Sequence, residues 1–249
     1  MSTFFDNNFN SNFRFDYSTL GLELSPAVQN HVYKVYSQLA QMLLISTAAA
    51  YMQITSENWI IQSLNYLSFV GLLGCLIAFS FTDETKNEGR AKMLLYGFAL
   101  FKGLSIAPLV ELSLFLNPSL LISALGSTAI IFASLSLSVL YSPLPSTFYI
   151  TGLLMSLLSV SFWLGLVNIF LQSQAMYSFE LILGLAIFSL YVVYDTQVLI
   201  QKANQGAKTY LRHCLDLYID FVAMFVRILI ILMRKDQEKQ EKKKKKASR

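Results

Sequence analysis

Charged side chains are scarce in this sequence. Asp, Glu, Lys and Arg make up 14% of its 249 residues, whereas 55% are hydrophobic and the mean hydropathy is +0.51. Soluble domains carry about 25% charged residues. The shortage of charge excludes an ordinary soluble domain, and the excess of apolar residues predicts an integral membrane protein.

Cysteine and histidine are nearly absent as well. The chain has two cysteines, Cys75 and Cys214, both in apolar segments, and two histidines, His31 and His213. This is too few cysteines for the disulfide framework of a small secreted domain. It is also too few ligands for zinc chemistry. We therefore expect neither a zinc centre nor a cofactor.

Positive charge is concentrated at the C-terminal end. Residues 234–249 hold nine Lys or Arg against three acids, a net +6, which leaves the rest of the chain at −2 because the total is +4. A polybasic segment directly after a membrane helix is typical of a tail that faces anionic cytosolic lipid. We predict that 234–249 is a polybasic cytosolic tail with membrane lipid as a partner. Nucleic acid is not expected, because no basic face accompanies a binding module.

Seven apolar segments predict the fold. A membrane helix needs about 20 mainly apolar residues, and residues 212–233 form the seventh candidate after 35–54, 61–82, 93–115, 120–141, 148–171 and 177–200. Ser25 as N-cap and Pro26 at the first helical position predict an early start for helix one. We predict an all-α integral membrane protein. Its seven-helix domain covers residues 34–233, and residues 1–33 form an N-terminal tail with the start of helix one.

Lys and Arg in the short loops predict the orientation. Basic residues occur before span one, between spans two and three, and between spans six and seven, but not after spans one, three and five. We therefore predict a cytosolic N-terminus. Segment seven has basic residues on both flanks, so the sequence leaves open whether it spans fully or is re-entrant.

Segment seven places charges inside an apolar helix. His213, Asp216, Asp220 and Arg227 follow spacings of three, four and seven, which places them on one helical face at about 100° per residue. An ionised group at the bilayer centre costs roughly 2.5–3.5 kcal/mol on insertion scales. These side chains therefore face protein or water rather than lipid.

Asp195 ends an apolar run near the end of span six, and Asp220 lies at a similar depth in span seven. Two antiparallel helices joined by a short loop would bring these carboxyl groups together. In a low dielectric such a pair shares one proton and changes protonation near neutral pH. The alternative is that each Asp pairs separately, with Arg227 or with backbone groups.

The stretches "LSPAVQNHVYKVY", "NPS" and above all "YDTQVLIQKANQGAKTYLRHCLDLYIDF" resemble the Bax inhibitor family of transmembrane proteins. The resemblance implies six helices wrapped around a central C-terminal helix. It further implies a pH-sensitive calcium leak in the endoplasmic reticulum membrane and suppression of cell death. Asp195 and Asp220 match the aspartates of the family's pH sensor, Asp216 matches a further acidic position, and Arg90 matches a basic one.

Glu180 and Glu111 are further candidates for the ion path or its support, whereas a buried Lys102 in a cation path would oppose conduction. Glu180 would attract cations at the non-cytosolic mouth or lie as an ordinary interfacial charge, and Lys102 would snorkel or pair with Glu111 or Glu180. We expect His213 and Arg227 to support the same polar interior.

The leading functional hypothesis is a pH-sensitive calcium leak that negatively regulates cell death, not an enzyme. Two alternatives remain open: a non-conducting regulator that binds other membrane proteins, possible cell-death regulators among them, and a proton-coupled cation exchanger. An intramembrane aspartyl protease fits poorly, because "LYIDF" lacks a glycine-rich context around the second aspartate.

Overall fold

The structure, a computed structural model, describes residues 26–56, 59–140, 147–207 and 209–247. These residues form seven helices and no strand, as the sequence predicts. The helices are α1 (Pro26–Thr55), α2 (Trp59–Ser80), α3 (Glu88–Leu116), α4 (Pro118–Leu140), α5 (Thr147–Leu171), α6 (Gln174–Asn204) and α7 (Leu211–Ala247). The described part of α1 begins at Pro26, and Ser25, the predicted N-cap, lies outside the described residues.

Tight polar turns separate the antiparallel helices. Asn117 ends α3 with an extended backbone, and its Oδ1 accepts hydrogen bonds from Ser119 N at 3.0 Å and Ser119 Oγ at 2.9 Å. Pro118 then occupies the first position of α4, where no N–H is needed. At the end of α6, Gly206 adopts a φ of 75°, the left-handed conformation that commonly closes a helix.

Apolar side chains cover the outside of the bundle, as in proteins that face lipid. In the described part of the chain, four helical segments are long and apolar enough to cross a membrane: Glu88–Leu116, Pro118–Leu140, Ile150–Leu171 and Gln174–Asn204. Large apolar residues point outward, such as Phe115 and Phe170, each 86% exposed. Together with the all-helical fold, these helices make the chain an all-α integral membrane protein.

Helix α7 is the centre of the bundle. It packs against α1, α3, α4 and α6, and its Leu217, Tyr218, Met224 and Leu229 are fully buried. Helices α2 and α5 form an outer layer, where α2 packs mainly on α3 and α5 packs on α6. The expected arrangement around a central C-terminal helix is confirmed, with four of the six surrounding helices in direct contact with α7.

Helix α7 runs from one end of the bundle to the other. Its first turn lies against the α2–α3 connection, where Glu84 Oε1 accepts hydrogen bonds from Tyr210 N and Leu211 N at 2.5 and 2.6 Å. Arg234 contacts Gln174 at the start of α6, which is the opposite end. The length between Leu211 and Arg234 is about 35 Å at about 1.5 Å per residue, enough for a hydrocarbon core of about 30 Å.

The path of α7 decides between the two topologies that the sequence left open for segment seven. Segment seven is one continuous helix across the bundle rather than a re-entrant segment, and it continues through the lysine-rich residues to Ala247. The α6–α7 connection and the basic segment therefore lie at opposite ends of α7. A cytosolic N-terminus and a cytosolic basic tail are alternatives in this fold.

Candidate functional site

Two carboxyl groups meet where α6 and α7 cross the interior. Because α6 and α7 are antiparallel neighbours joined by a short connection, residues at similar distances from that connection lie side by side. Asp195 and Asp220 line the same cavity, and their carboxyl groups interact directly with each other. Asp220 is 4% exposed, and its Oδ2 has no hydrogen-bond partner among the residues that the structure describes. The alternative in which each acid pairs separately with Arg227 is not what the structure shows.

The acid pair opens into a cavity of about 430 Å³ between α5, α6 and α7. Its lining residues are Leu158, Phe188, Tyr191, Asp195, Asp216, Ile219 and Asp220. Asp216 supplies a third carboxyl group, which interacts electrostatically with both members of the pair. Carboxylate oxygens are the ligands that a hard cation such as Ca²⁺ prefers, but the described residues contain no group of three or more acidic, histidine or cysteine side chains close enough to hold a metal ion.

Two basic side chains lie on the side of this cavity that faces the α6–α7 connection. Arg212 and Lys202, both exposed, are the basic side chains that interact with the Asp216 carboxyl group. Asp216 therefore lies between a positively charged rim and the buried acid pair. A cation that enters from this end meets Asp216 before it meets Asp195 and Asp220.

His213 lies on the α1 side of α7. Its ring is 6.1 Å from the ring of His31, centroid to centroid, and only 3% of the residue is exposed. The Nε2 atoms of both histidines lack a hydrogen-bond partner within the described part of the chain. His213 is therefore part of a buried polar contact between α1 and α7, and it does not line the acid cavity.

Arg227 lies deeper in the membrane than the acid pair. The guanidinium stacks on Phe188, 4.4 Å from the ring centroid, and its Nη1 donates a hydrogen bond to Ala223 O at 3.2 Å. The acid that it faces is Glu180, not Asp220. Because Phe188 also lines the acid cavity, the stacked Phe188 and Arg227 side chains separate that cavity from the far half of the bundle.

The remaining predicted charges lie outside the cavity. Arg90 is exposed in the first turn of α3, and Glu111 is exposed near the other end of the same helix. Lys102 is half-buried and interacts electrostatically with Arg227. In the described ranges no ion pair joins Lys102 to Glu111 or Glu180.

Two residues that contribute to the site, Tyr191 and Glu84, were not predicted from the sequence. Tyr191 lies one helical turn before Asp195 and interacts with both acids of the pair, so helical spacing would have found it. Glu84 holds the first turn of α7 from a loop that is distant in sequence, and no local pattern marks it. Burial raises the pKa of the Glu84 carboxyl group, while the hydrogen bonds from Leu211 N and Tyr210 N act in the opposite direction.

Comparison with known proteins places this geometry in a family. The profile of the family described as "Inhibitor of apoptosis-promoting Bax1" matches residues 28–237. Bax inhibitor 1 of Rattus norvegicus is 35% identical over 226 residues, which cover 91% of this chain and 94% of the rat protein. Bax inhibitor 1 of Arabidopsis thaliana is 38% identical over 213 residues, 85% of this chain and 84% of the plant protein. The chain is thus a member of the Bax inhibitor family of membrane proteins.

Proposed function

We propose that this protein is a pH-sensitive calcium leak of an intracellular membrane and that it negatively regulates cell death. The observation that carries the proposal is the acid cavity, in which three carboxyl groups from α6 and α7 lie within a membrane bundle. A binding surface for other proteins does not need such a cavity, because buried carboxyl groups are costly in a bilayer. The names of the relatives, which describe inhibitors of Bax, support the link to cell death.

The gate in this proposal is the proton between Asp195 and Asp220. While the two carboxyl groups share it, the hydrogen bond ties α6 to α7 and the cavity stays closed. As the pH rises the pair loses the proton, and two carboxylates in a low dielectric repel each other. The helices then separate at this level, and the freed oxygens offer Ca²⁺ a site.

Arg227 and Phe188 define the second barrier. A fixed positive charge beyond the cavity repels a cation, so conduction requires the guanidinium to move away from the path. Glu180 is the acid toward which it would move, because Glu180 already faces Arg227. This assigns Glu180 a supporting electrostatic role in addition to its place near the far end.

The proposed location is the endoplasmic reticulum membrane, with the N-terminus and the α2–α3 and α6–α7 connections in the cytosol. The clustering of Lys and Arg in those short connections supports this orientation. Because α7 crosses the bundle, the lysine-rich end of α7 then lies on the other side. Calcium and protons are the small partners, and the proposal includes no catalytic reaction and no cofactor.

Calcium flux from proteoliposomes tests the mechanism. With equal pH on both sides, we expect flux from the wild type to rise between about pH 6 and about pH 8 as the shared proton is lost. Asp220→Asn supplies a permanent amide donor to Asp195, so flux should stay low and nearly independent of pH. Asp83→Asn, which changes an exposed loop acid, is the matched control and should behave as the wild type.

The other outcomes distinguish the alternatives. Unchanged pH dependence in Asp220→Asn would remove the acid pair as the gate. Flux that requires a pH difference across the membrane, rather than a given pH, would indicate a proton-coupled exchanger. No flux at any pH, together with partner binding that survives loss of both aspartates, would indicate a non-conducting regulator.

A further inference from the structure

A furrow opens between α5 and α6 on the surface of the bundle. Its volume is about 630 Å³, and its lining is mainly apolar, with Leu158, Phe162, Leu166 and Ile169 along its length. Phe162 and Ile169 are 62% and 67% exposed. Since this surface faces the hydrocarbon of the bilayer, the furrow has the shape and the polarity to hold an acyl chain.

A polar pocket continues the furrow at the end of the bundle where α5 turns into α6. The pocket measures about 310 Å³ and is lined by Asn168, Gln172, Ser173, Gln174, Tyr177 and Arg234. Asn168 and Tyr177 line both spaces. The apolar furrow and the polar pocket are therefore neighbouring parts of one site rather than two unrelated depressions.

Arg234 makes this pocket suitable for an anion. Its Nη2 donates a hydrogen bond to Gln174 Oε1, and the guanidinium lies 5.0 Å from the centroid of the Tyr177 ring. Its Nη1 is buried and has no hydrogen-bond partner in the described residues. A fixed guanidinium with an unused N–H group binds phosphate and carboxylate strongly.

The first turn of α6 lies at the same pocket, and two of its N–H groups, those of Ser173 and Met176, are already bonded within the protein. Ser173 Oγ accepts a hydrogen bond from Met176 N, and Asn168 Oδ1 accepts one from Ser173 N at 2.9 Å. The first N–H groups of a helix carry partial positive charge and favour a bound anion. The pocket lining contains no carboxylate. The Glu180 carboxyl group lies in the furrow beside Gly165 and interacts electrostatically with Arg227.

Arg234 also lies at the right depth for a lipid headgroup. It follows the apolar part of α7, about 35 Å along the axis from Leu211, while the hydrocarbon core is about 30 Å thick. Helix α7 then continues into the run of lysines from Lys242 to Lys246. These charges attract anionic lipid to this end of the bundle.

We propose that the α5–α6 furrow and the Arg234 pocket together bind one anionic glycerophospholipid. The phosphate accepts hydrogen bonds from Arg234 and the α6 N-terminus, and one acyl chain lies in the furrow beside Phe162 and Ile169. The lipid would bridge α5 and α6 to the end of α7. The furrow adjoins the acid cavity at Leu158, which lines both, but the proposal does not rest on the proposed calcium leak.

Native mass spectrometry of the full chain in detergent tests the site. Phosphatidic acid and phosphatidylcholine with the same acyl chains are added in equal amounts. We expect one phosphatidic acid to be retained per chain in preference to phosphatidylcholine. Arg234→Gln should lower that preference about tenfold, the loss of one charge-assisted contact. Lys239→Gln removes a nearby charge from the exposed part of α7 and should leave the preference nearly unchanged.

Three results would overturn the proposal. Equal preference in Arg234→Gln and the wild type would remove the pocket as the phosphate site. An equal loss in Lys239→Gln would show that the tail attracts lipid without a defined site. Displacement of the retained lipid by inorganic phosphate at low millimolar concentration would indicate a free-anion site, because an acyl chain in the furrow should hold the lipid against it.

Discussion

Gly184 of α6 provides the space in which the Arg227 side chain of α7 lies. A Cβ atom at Gly184 would overlap Arg227 Nε, so no larger residue fits without displacing the guanidinium. Phe188 lies one turn later on the same helix, and the Arg227 guanidinium stacks on its ring. The space at Gly184 and the Phe188 ring, both on α6, thus accommodate the positive charge of Arg227 inside the membrane bundle.

Gly184→Ala should therefore destabilise the protein by about 1–3 kcal/mol, the usual range for an overpacked interior. In an unstrained helix, alanine is more favourable than glycine by about 1 kcal/mol. A loss of stability in Gly184→Ala therefore has to come from the clash with Arg227. Thermal unfolding in detergent measures the change. Gly152→Ala is the control, because a Cβ at Gly152 meets nothing within 4 Å, and this variant should be at least as stable as the wild type.

The displacement of Arg227 can be separated from other effects of Gly184→Ala. Arg227→Ala removes the side-chain atoms beyond Cβ, and with them both the clash and the charge, so Gly184→Ala should be much less damaging when it is introduced into that variant. Additive effects of the two substitutions would contradict the contact, because residues that compete for one space are coupled.

A buried hydroxyl pair joins α1 to α7. Ser46 Oγ lies 2.9 Å from both Met42 O and Ala99 O and 2.5 Å from the Tyr218 hydroxyl oxygen. The single hydroxyl hydrogen of Ser46 points to a carbonyl, so Tyr218 donates to Ser46. Tyr218 is completely buried, and Ser46 is its hydrogen-bond partner on α1.

This donor assignment predicts unequal effects of removing the two hydroxyls. Ser46→Ala leaves the Tyr218 hydroxyl buried without an acceptor, which should cost about 1–3 kcal/mol. Tyr218→Phe leaves Ser46 bonded to a carbonyl and should cost only about 1 kcal/mol. Unfolding free energies of both single variants and the double variant check this. Tyr218→Phe that is more damaging than Ser46→Ala would reverse the donor assignment.

The sequence predicted much of the fold because the signals are local. Apolar runs and turn residues marked the seven helices, and the similar distance of Asp195 and Asp220 from the α6–α7 connection placed them side by side. The partners of Arg227 could not be predicted, because Gly184 and Phe188 belong to another helix and carry no charge to mark them. Glu84 was missed for a different reason: it is charged, but its contact with Leu211 spans more than a hundred residues of chain.

The Glu84 contact should make stability depend on pH. Because burial raises the pKa of Glu84 above its ordinary 4.5, the folded protein holds this proton more tightly than the unfolded chain. The contribution is complete below about pH 4.5 and falls as the pH rises through the folded-state pKa. Glu84→Gln keeps an acceptor oxygen but does not titrate, so the wild type should lose stability relative to this variant over that range.

Thermal unfolding at several pH values measures this difference. Glu84→Ala removes the acceptor for two backbone N–H groups and should lower stability by about 1–2 kcal/mol at every pH, as for a lost helix cap. Glu238→Gln, in the exposed lysine-rich part of α7, is the control and should show the wild-type pH profile. The same profile in Glu84→Gln would exclude Glu84 as the titrating group.

The complete crossing of α7 determines on which sides of the membrane its two ends lie. Lys86, in the α2–α3 connection, and Lys244, in the last turn of α7, are both exposed. In a background with Cys75 and Cys214 replaced by alanine, Lys86→Cys and Lys244→Cys each provide one thiol for a membrane-impermeant maleimide. In sealed microsomes we expect Lys86→Cys to react at once and Lys244→Cys only after permeabilisation, since about 35 Å of helix separates the two ends.

Reaction of both thiols from the outside would mean that α7 returns to its starting side, which is incompatible with one continuous helix from Leu211 to Ala247. If Lys244→Cys reacts at once and Lys86→Cys only after permeabilisation, α7 still spans the membrane but the proposed orientation is inverted. The lysine-rich end of α7, and not the basic short connections, would then follow the positive-inside rule.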